Sequence, residues 1–372
     1  MRRFLVSMLA LAASGFACAQ GVTESQILLG QSAALTGPAQ QLGKDMRFGA
    51  NLYFDHVNKQ GGVNGRRIVL KSLDDGYESN RAAANTKKLI NEDKVFALFG
   101  YVGTPTSAAS LPIFTEARVP FVGAFTGAEL LRHPVNRYVF NVRASYFDET
   151  EAIVQHLTAM SIDRIAIFYQ NDAYGQAGLA GVERALKKRN LQLIARGTVE
   201  RNTVDVKKAV EVISKAQPQS VIMISAYTSC AAFIREMKKV GSDPTFWNVS
   251  FVGSKAIAKE LGPDGRGVEI SQVVPFPWDP TVPVVKEYLK LLEQAKAQPD
   301  FGTLEGFISA KVMVEGLRRA GRKLDRESFL RAMDSMSDYD AGGFKVSYGP
   351  DNHSGSSFVD LTIVSKDQKF VR

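Results

Sequence analysis

The chain has 372 residues, 45% hydrophobic and 23% charged, which excludes a disordered or collagen-like polymer and suits two ordinary folded domains. Its net charge of +8 comes from scattered residues and doublets such as Lys87-Lys88 and Lys238-Lys239 on predicted helices. Basic residues clustered with stacking aromatics are absent from this pattern, so no nucleic-acid partner is expected.

The first residues carry an export signal. Arg2 and Arg3 precede a short apolar run, Phe4 to Ala13, and Ala17-Cys18-Ala19 puts small residues where a signal peptidase cuts. Residues 1–19 are therefore expected to be removed after Ala19, with the mature protein in the periplasm. The apolar run falls short of the ~20 residues that span a bilayer. Gly15-Phe16-Ala17 before Cys18 is a poor match to a lipidation signal, so Cys230 is expected to be the only thiol, and buried.

Short β-branched runs then alternate with amphipathic stretches. Strands are predicted at Gln26–Gln31, Arg67–Leu73, Val95–Phe99, Val119–Val122, Arg164–Tyr169, Leu191–Val199, Ser220–Ser225 and Val268–Val274. The first helix carries Met46, Ala50, Tyr53, Phe54 and Val57 at helical spacing and stops at Gly61-Gly62. Further helices lie between the later strands, and such alternation argues for parallel sheets, here too many strands for one. Near the C-terminus two helices, Leu304–Arg319 and Arg326–Met336, run almost consecutively before strand-like Phe344–Tyr348 and Phe358–Val364. The helices are expected to return to the first sheet and the last strands to join the second.

Catalytic and metal patterns are missing. The four histidines, His56, His133, His156 and His353, share no ligand spacing, so neither a metal nor a cofactor is expected. Gly37 to Lys44 has five residues between its glycines and Asp45 where a phosphate loop needs Ser or Thr. Asp74-Asp75 reads as a turn cap, with general acid/base work as the rival reading. What remains are polar loops at strand ends, where open α/β sheets bind ligands. In Gly100–Ser107, Tyr101 and Gly103 precede Thr104, which reads as an N-cap with Pro105 at the first helical position; that helix start offers free N–H groups to a carboxylate. In Gly123–Ala128, Thr126 offers a hydroxyl and Ala124 a backbone carbonyl, with Phe125 between them. Tyr174 and Tyr227 end two later loops and can close over a ligand.

In their order, these loops resemble the Leu/Ile/Val-binding family of periplasmic solute-binding proteins of ABC transporters. The resemblance rests on Leu35-Thr36-Gly37-Pro38 with Gly43, on Asn58-Lys59-Gln60-Gly61-Gly62-Val63-Asn64-Gly65, on Asp74-Asp75, on Gly127-Ala128-Glu129-Leu130 and on Asn171 to Gly175. It implies an α/β type I periplasmic-binding-protein fold: two doubly wound parallel-sheet lobes joined by a three-segment hinge. The lobes would be 20–143 plus 277–342 and 144–276 plus 343–372. It also implies a pocket lined by Leu42, Tyr101, Gly103, Thr104, Ala124, Phe125 and Thr126 on one side and Tyr174, Tyr227 and Ser250 on the other, with Phe307 beside them. Ser250 stands where the family usually carries an acid for the ligand's ammonium, and Tyr77 and Gly103 match a disulfide of some relatives.

The expected protein is a monomeric receptor, not an enzyme. It would close on a small carboxylate-bearing solute, a branched-chain amino acid or related acid, and deliver it to a membrane permease. The rival readings are a binder of aromatic or aliphatic carboxylates or amides without an α-amine, a sensory module, and an exported hydrolase using Asp74, Asp75 and Tyr174.

Overall fold

The computed structural model describes residues 20–372, so the export signal and Cys18 lie outside it. The first half of the chain runs β1 (Gln26–Ala33), α1 (Gln40–Lys59), β2 (Arg67–Asp74), α2 (Ser79–Asn91), β3 (Ala97–Phe99), α3 (Thr104–Glu116), β4 (Phe121–Val122) and β5 (Val139–Phe140). These five strands form one parallel sheet in the order β2-β1-β3-β4-β5.

The chain then builds a second sheet from α4 (Tyr146–Ala159), β6 (Ile165–Gln170), α5 (Ala173–Lys187), β7 (Ala195–Val199), α6 (Lys207–Lys215), β8 (Ser220–Ile224), α7 (Tyr227–Lys239), β9 (Thr245–Asn248), α8 (Ser254–Leu261) and β10 (Glu269–Gln272). Its parallel part has the order β10-β9-β8-β6-β7, the same winding as the first sheet. β8 is buried at every position, which is why it reads as an unbroken apolar run and not an alternating one.

Next come α9 (Pro283–Gln294), α10 (Phe301–Ala320) and α11 (Arg326–Asp334), then the short strands β11 (Tyr339–Asp340), β12 (Lys345–Val346), β13 (Asp360–Val364) and β14 (Phe370–Val371). As expected, α10 returns to the first sheet and packs along α1. The two helices approach closely because Gly49 and Gly306 face each other's backbone: a Cβ on Gly49 would lie 1.8 Å from the Thr303 carbonyl oxygen. β13 joins β10 antiparallel, which completes the second sheet with β14.

One expectation fails. Lys345–Val346 does not join the second sheet but pairs with β11. The following residues stay on the first: the Tyr348 hydroxyl and the Gly355 N–H both donate to the Asn141 carbonyl, at 2.9 and 2.8 Å, and His353 stacks on Phe140. The chain crosses between sheets three times, but these bonds hold it on the first as far as Gly355 and not to residue 342. Sequence reading also passed over β5, β11 and β14, each two residues long and too short to show a period, and the two-turn helix α8.

Candidate ligand-binding site

Strand order reverses between β1 and β3 in one sheet and between β6 and β8 in the other, and the loops leaving those C-terminal ends face each other. The lobes are closed. Arg201 donates to Ser79 Oγ at 2.9 Å, Asn202 to Glu78 Oε1 at 2.7 Å, and Gln170 to the Tyr77 hydroxyl at 3.3 Å.

At the first lobe's face of this crevice, Thr104 begins α3, and its N-cap is Gly103, not Thr104 as the sequence suggested. Gly103 sits at φ 103°, a conformation that favours glycine, and a Cβ there would meet the Tyr77 ring at 2.3 Å. Relieved of capping, the Thr104 hydroxyl shares a hydrogen bond with the Thr126 hydroxyl at 2.6 Å, and Thr126 donates on to the Tyr146 hydroxyl at 3.3 Å. All three residues are fully buried. The start of α3 therefore presents two hydroxyls beside helix N–H groups that lack an intrahelical partner, a setting suited to a carboxylate.

Opposite them stands the second lobe's Tyr174, with its ring 5.4 Å from Tyr146 and 4.6 Å from Phe251. Its hydroxyl is buried without a hydrogen-bond partner, as is Ser107 Oγ in the first turn of α3. The Phe251 ring also lies 5.6 Å from Phe125 and 5.9 Å from Tyr77, so it fills the centre of the closed crevice.

A buried charge network adjoins this seat. Arg143 donates to Glu149 Oε1 at 2.8 Å, to Glu305 Oε1 at 3.4 Å and to the Ser250 hydroxyl, while its guanidinium lies 5.3 Å from the Phe125 ring. Glu149 Oε2 accepts from the Ser250 N–H at 2.7 Å and from Ser271 Oγ at 2.6 Å. Burial pulls against the charge on Arg143, but Glu305 and Glu149 hold its affinity for the proton above the ordinary value. Burial pushes Glu305 up to about 7, against the pull of Arg143.

A family described as periplasmic binding protein matches residues 26–369. The chain belongs to the periplasmic binding protein family. Members of this family bind small solutes, work with ABC permeases and are exported to the periplasm; among the described residues no helix is long and apolar enough to cross a membrane. Its fold has close counterparts. A "possible leucine/isoleucine/valine-binding protein" from Rhodopirellula baltica is 34% identical with a TM-score of 0.90, covering 94% of this chain and 97% of its own. A substrate-binding periplasmic protein from Ralstonia solanacearum is 31% identical with a TM-score of 0.88, covering 93% and 99%. The Leu/Ile/Val-binding protein homolog 7 of Brucella abortus is 24% identical over 363 residues, 92% of this chain and 89% of its own.

Against that family background, the sequence-derived residues divide. Gly103, Thr104, Phe125, Thr126, Tyr174 and Ser250 meet in the crevice. Leu42 lies beside them, lining a cavity with Phe125 and Ser250. Tyr227 borders a wider outer pocket with Gln41 and Asp45, at the mouth and away from the threonines. Three residues are placed elsewhere. Tyr101 is packed on Phe121 in the core behind the first sheet, its hydroxyl 3.0 Å from Thr86 Oγ1. Phe307 packs between Tyr53 and Tyr288 where α10 meets α1. Ala124 is buried in the same core cluster as Tyr101 and Phe121, and its carbonyl accepts from the Thr126 N–H at 2.9 Å.

Asp74 accepts from Leu35, Thr36 and Gly76, and Asp75 from Ser32 and Tyr77, which makes the pair a turn cap. Cys230 is buried. Sequence reading missed Arg143, Tyr146, Glu149 and Glu305. An Arg three residues past a strand end and a Glu inside an amphipathic helix carry no signal until the fold brings them together.

Proposed function

We propose that this protein is the solute-binding component of an ABC uptake transporter and acts as a monomer that closes on a small carboxylate-bearing solute. The carboxylate rests on the Thr104 and Thr126 hydroxyls at the start of α3, and Tyr174 closes over it from the second lobe. One observation carries this reading: two buried hydroxyls lie 2.6 Å apart at a helix N-terminus, Thr126 donates on to Tyr146, and 5.4 Å from the Tyr146 ring stands the ring of Tyr174, whose buried hydroxyl has no partner of its own. A group so placed is costly unless something fills its hydrogen bond. A solute that touches both lobes only when they are shut favours closure, and closure is the signal a permease reads.

Ser250, whose hydroxyl is taken by Arg143, offers no counter-charge for an ammonium. The acid that serves that purpose in the family pattern is therefore absent from this position.

Titration calorimetry of the purified protein against amino acids, aromatic acids and aliphatic acids tests the proposal. Thr104→Ala and Thr126→Ala should each weaken binding of the active compound by about 1–3 kcal/mol, the cost of an unmet buried polar group. Unchanged affinity in both variants means the carboxylate sits elsewhere.

A further inference from the structure

The stretch Asn58 to Gly65, which links α1 to β2, takes no part in the crevice. Its end is a tight turn. Val63 and Arg66 exchange backbone hydrogen bonds of 2.8 and 3.0 Å across Asn64 at φ 52° and Gly65 at φ 83°, the paired positive angles of a type I′ turn. Gly76 and Glu78, past the far end of β2, accept hydrogen bonds from Asn202 of the second lobe. The eight extended residues of β2 therefore hold the turn roughly 25 Å from the crevice.

Asn64 is the only asparagine in the sequence that a glycine follows. Both residues are exposed, and a Cβ added to Gly65 would meet nothing within 4 Å. The turn's two backbone bonds use the N–H groups of Val63 and Arg66, which leaves the Gly65 nitrogen without an acceptor among the described residues. No backbone bond and no side chain therefore keep that nitrogen from the Asn64 side-chain amide. Comparable places in the chain are held. Asn190 is also exposed and sits at φ 56°, but the next nitrogen, that of Leu191, donates to the Leu186 carbonyl at 3.0 Å. Asp75 precedes Gly76, but the Gly76 N–H donates to Asp74 Oδ1 at 3.0 Å, and the Asp75 carboxylate accepts from Ser32 and Tyr77.

We propose that Asn64-Gly65 is a site of spontaneous deamidation, the place where this protein first changes its own covalent structure. The Gly65 nitrogen forms a bond to Asn64 Cγ and closes a five-membered succinimide. The Cγ–Nδ2 bond breaks, and the proton lost by the Gly65 nitrogen leaves with ammonia. Water then opens the ring. Cleavage at Cγ gives aspartate in the ordinary linkage, and cleavage at the backbone carbonyl gives isoaspartate, with the chain running through the side chain. Isoaspartate adds one methylene to a two-residue turn, so Val63 and Arg66 cannot keep both of their bonds. The Arg66 side chain donates to the Thr23 carbonyl at 2.8 Å and to the Arg322 carbonyl at 3.0 Å, so the loosened turn also frees the start of the sheet and the link between α10 and α11.

The purified protein, held for days at pH 8 and in parallel at pH 6, tests this without any solute. Trypsin cuts after Lys59 and Arg66 and releases Gln60–Arg66, in which Asn64 is the one asparagine. Mass spectrometry should find that peptide heavier by one mass unit. Conversion should be faster at pH 8 by about tenfold or more, because the attacking nitrogen must give up its proton. The peptide Asn190–Arg196 should keep its mass throughout. Labelling of the aged protein by an isoaspartate methyltransferase should fall several-fold in Asn64→Ser. A Gln60–Arg66 peptide that keeps its mass at both pH values overturns the proposal. So does conversion of Asn190 ahead of Asn64, or labelling that Asn64→Ser leaves unchanged.

Discussion

Two parts of the crevice lie within one side chain of each other and differ in almost every respect. The seat built by Thr104 and Thr126 is neutral, comes from loops 22 residues apart, and hangs on hydroxyls and a helix start. The network built by Arg143, Glu149, Glu305 and Ser250 is charged, and its members are up to 162 residues apart. Tyr146 touches both: its hydroxyl accepts from Thr126 and its ring lies 5.8 Å from Arg143. The neutral half can lose a partner at the cost of one hydrogen bond. The charged half cannot, because each buried charge depends on the others. Holding power and structural cost are thus separated: the seat can bind and release, while the network fixes the wall behind it.

The sharpest way to break that contrast is Arg143→Met. It leaves Glu149 and Glu305 buried and unpaired, and removal of one partner from a buried ion pair costs about 3–5 kcal/mol. Urea denaturation should show a loss of that size, against a much smaller loss for Thr126→Ala. Similar losses in the two variants would mean that the division into seat and wall is false.

A second contrast is in pH. Asp45 rises from an ordinary 3.8 to about 8 and Glu305 from 4.5 to about 7, both chiefly by burial. A carboxyl whose folded pKa is raised favours the folded state while protonated. Its contribution is complete below about pH 4 and disappears as pH climbs through 7 and 8. The solute-free protein should therefore melt lower at pH 8 than at pH 5, by on the order of 2–4 °C for each kcal/mol these acids contribute. Asp45→Asn and Glu305→Gln should shrink the difference, and Thr104→Ala should leave it alone, because the seat has no group that titrates in this range. A difference unaffected by either acid variant would place its origin outside the cavity.

The same contrast explains what the sequence revealed. Both sheets and their winding were legible from alternating apolar runs and helices, because each βα unit is local. So were the loops bearing Thr104, Thr126 and Tyr174, since strand ends are where such folds bind ligands. Tyr101 misled because a tyrosine beside a glycine at a strand end has two faces to choose from, and its side chain turned into the core against Phe121. Ser250 was marked as a departure from the family pattern, and its partner Arg143 could not be inferred: the contact spans 107 residues and exists only once the lobes meet. The carboxyls of Asp45 and Asp300 were hidden for a similar reason. One lies on α1 and the other caps α10, and they adjoin only because Gly49 and Gly306 let those helices approach.

Tyr174→Phe carries the smallest expected change and separates the two halves most cleanly. The hydroxyl is buried, belongs to a ring 5.4 Å from that of Tyr146 and makes no hydrogen bond in the closed protein. Removing it should not destabilise the solute-free protein and should stabilise it by up to about 1 kcal/mol, since an unmet polar group is taken out of the interior. Binding should move the other way, weakening several-fold as the solute loses a donor from the second lobe. Stability and affinity changing in opposite directions is the signature of a group kept for the ligand. A variant that lost stability and kept its affinity would show that Tyr174 belongs to the wall, with Phe251 and Tyr146, and not to the seat.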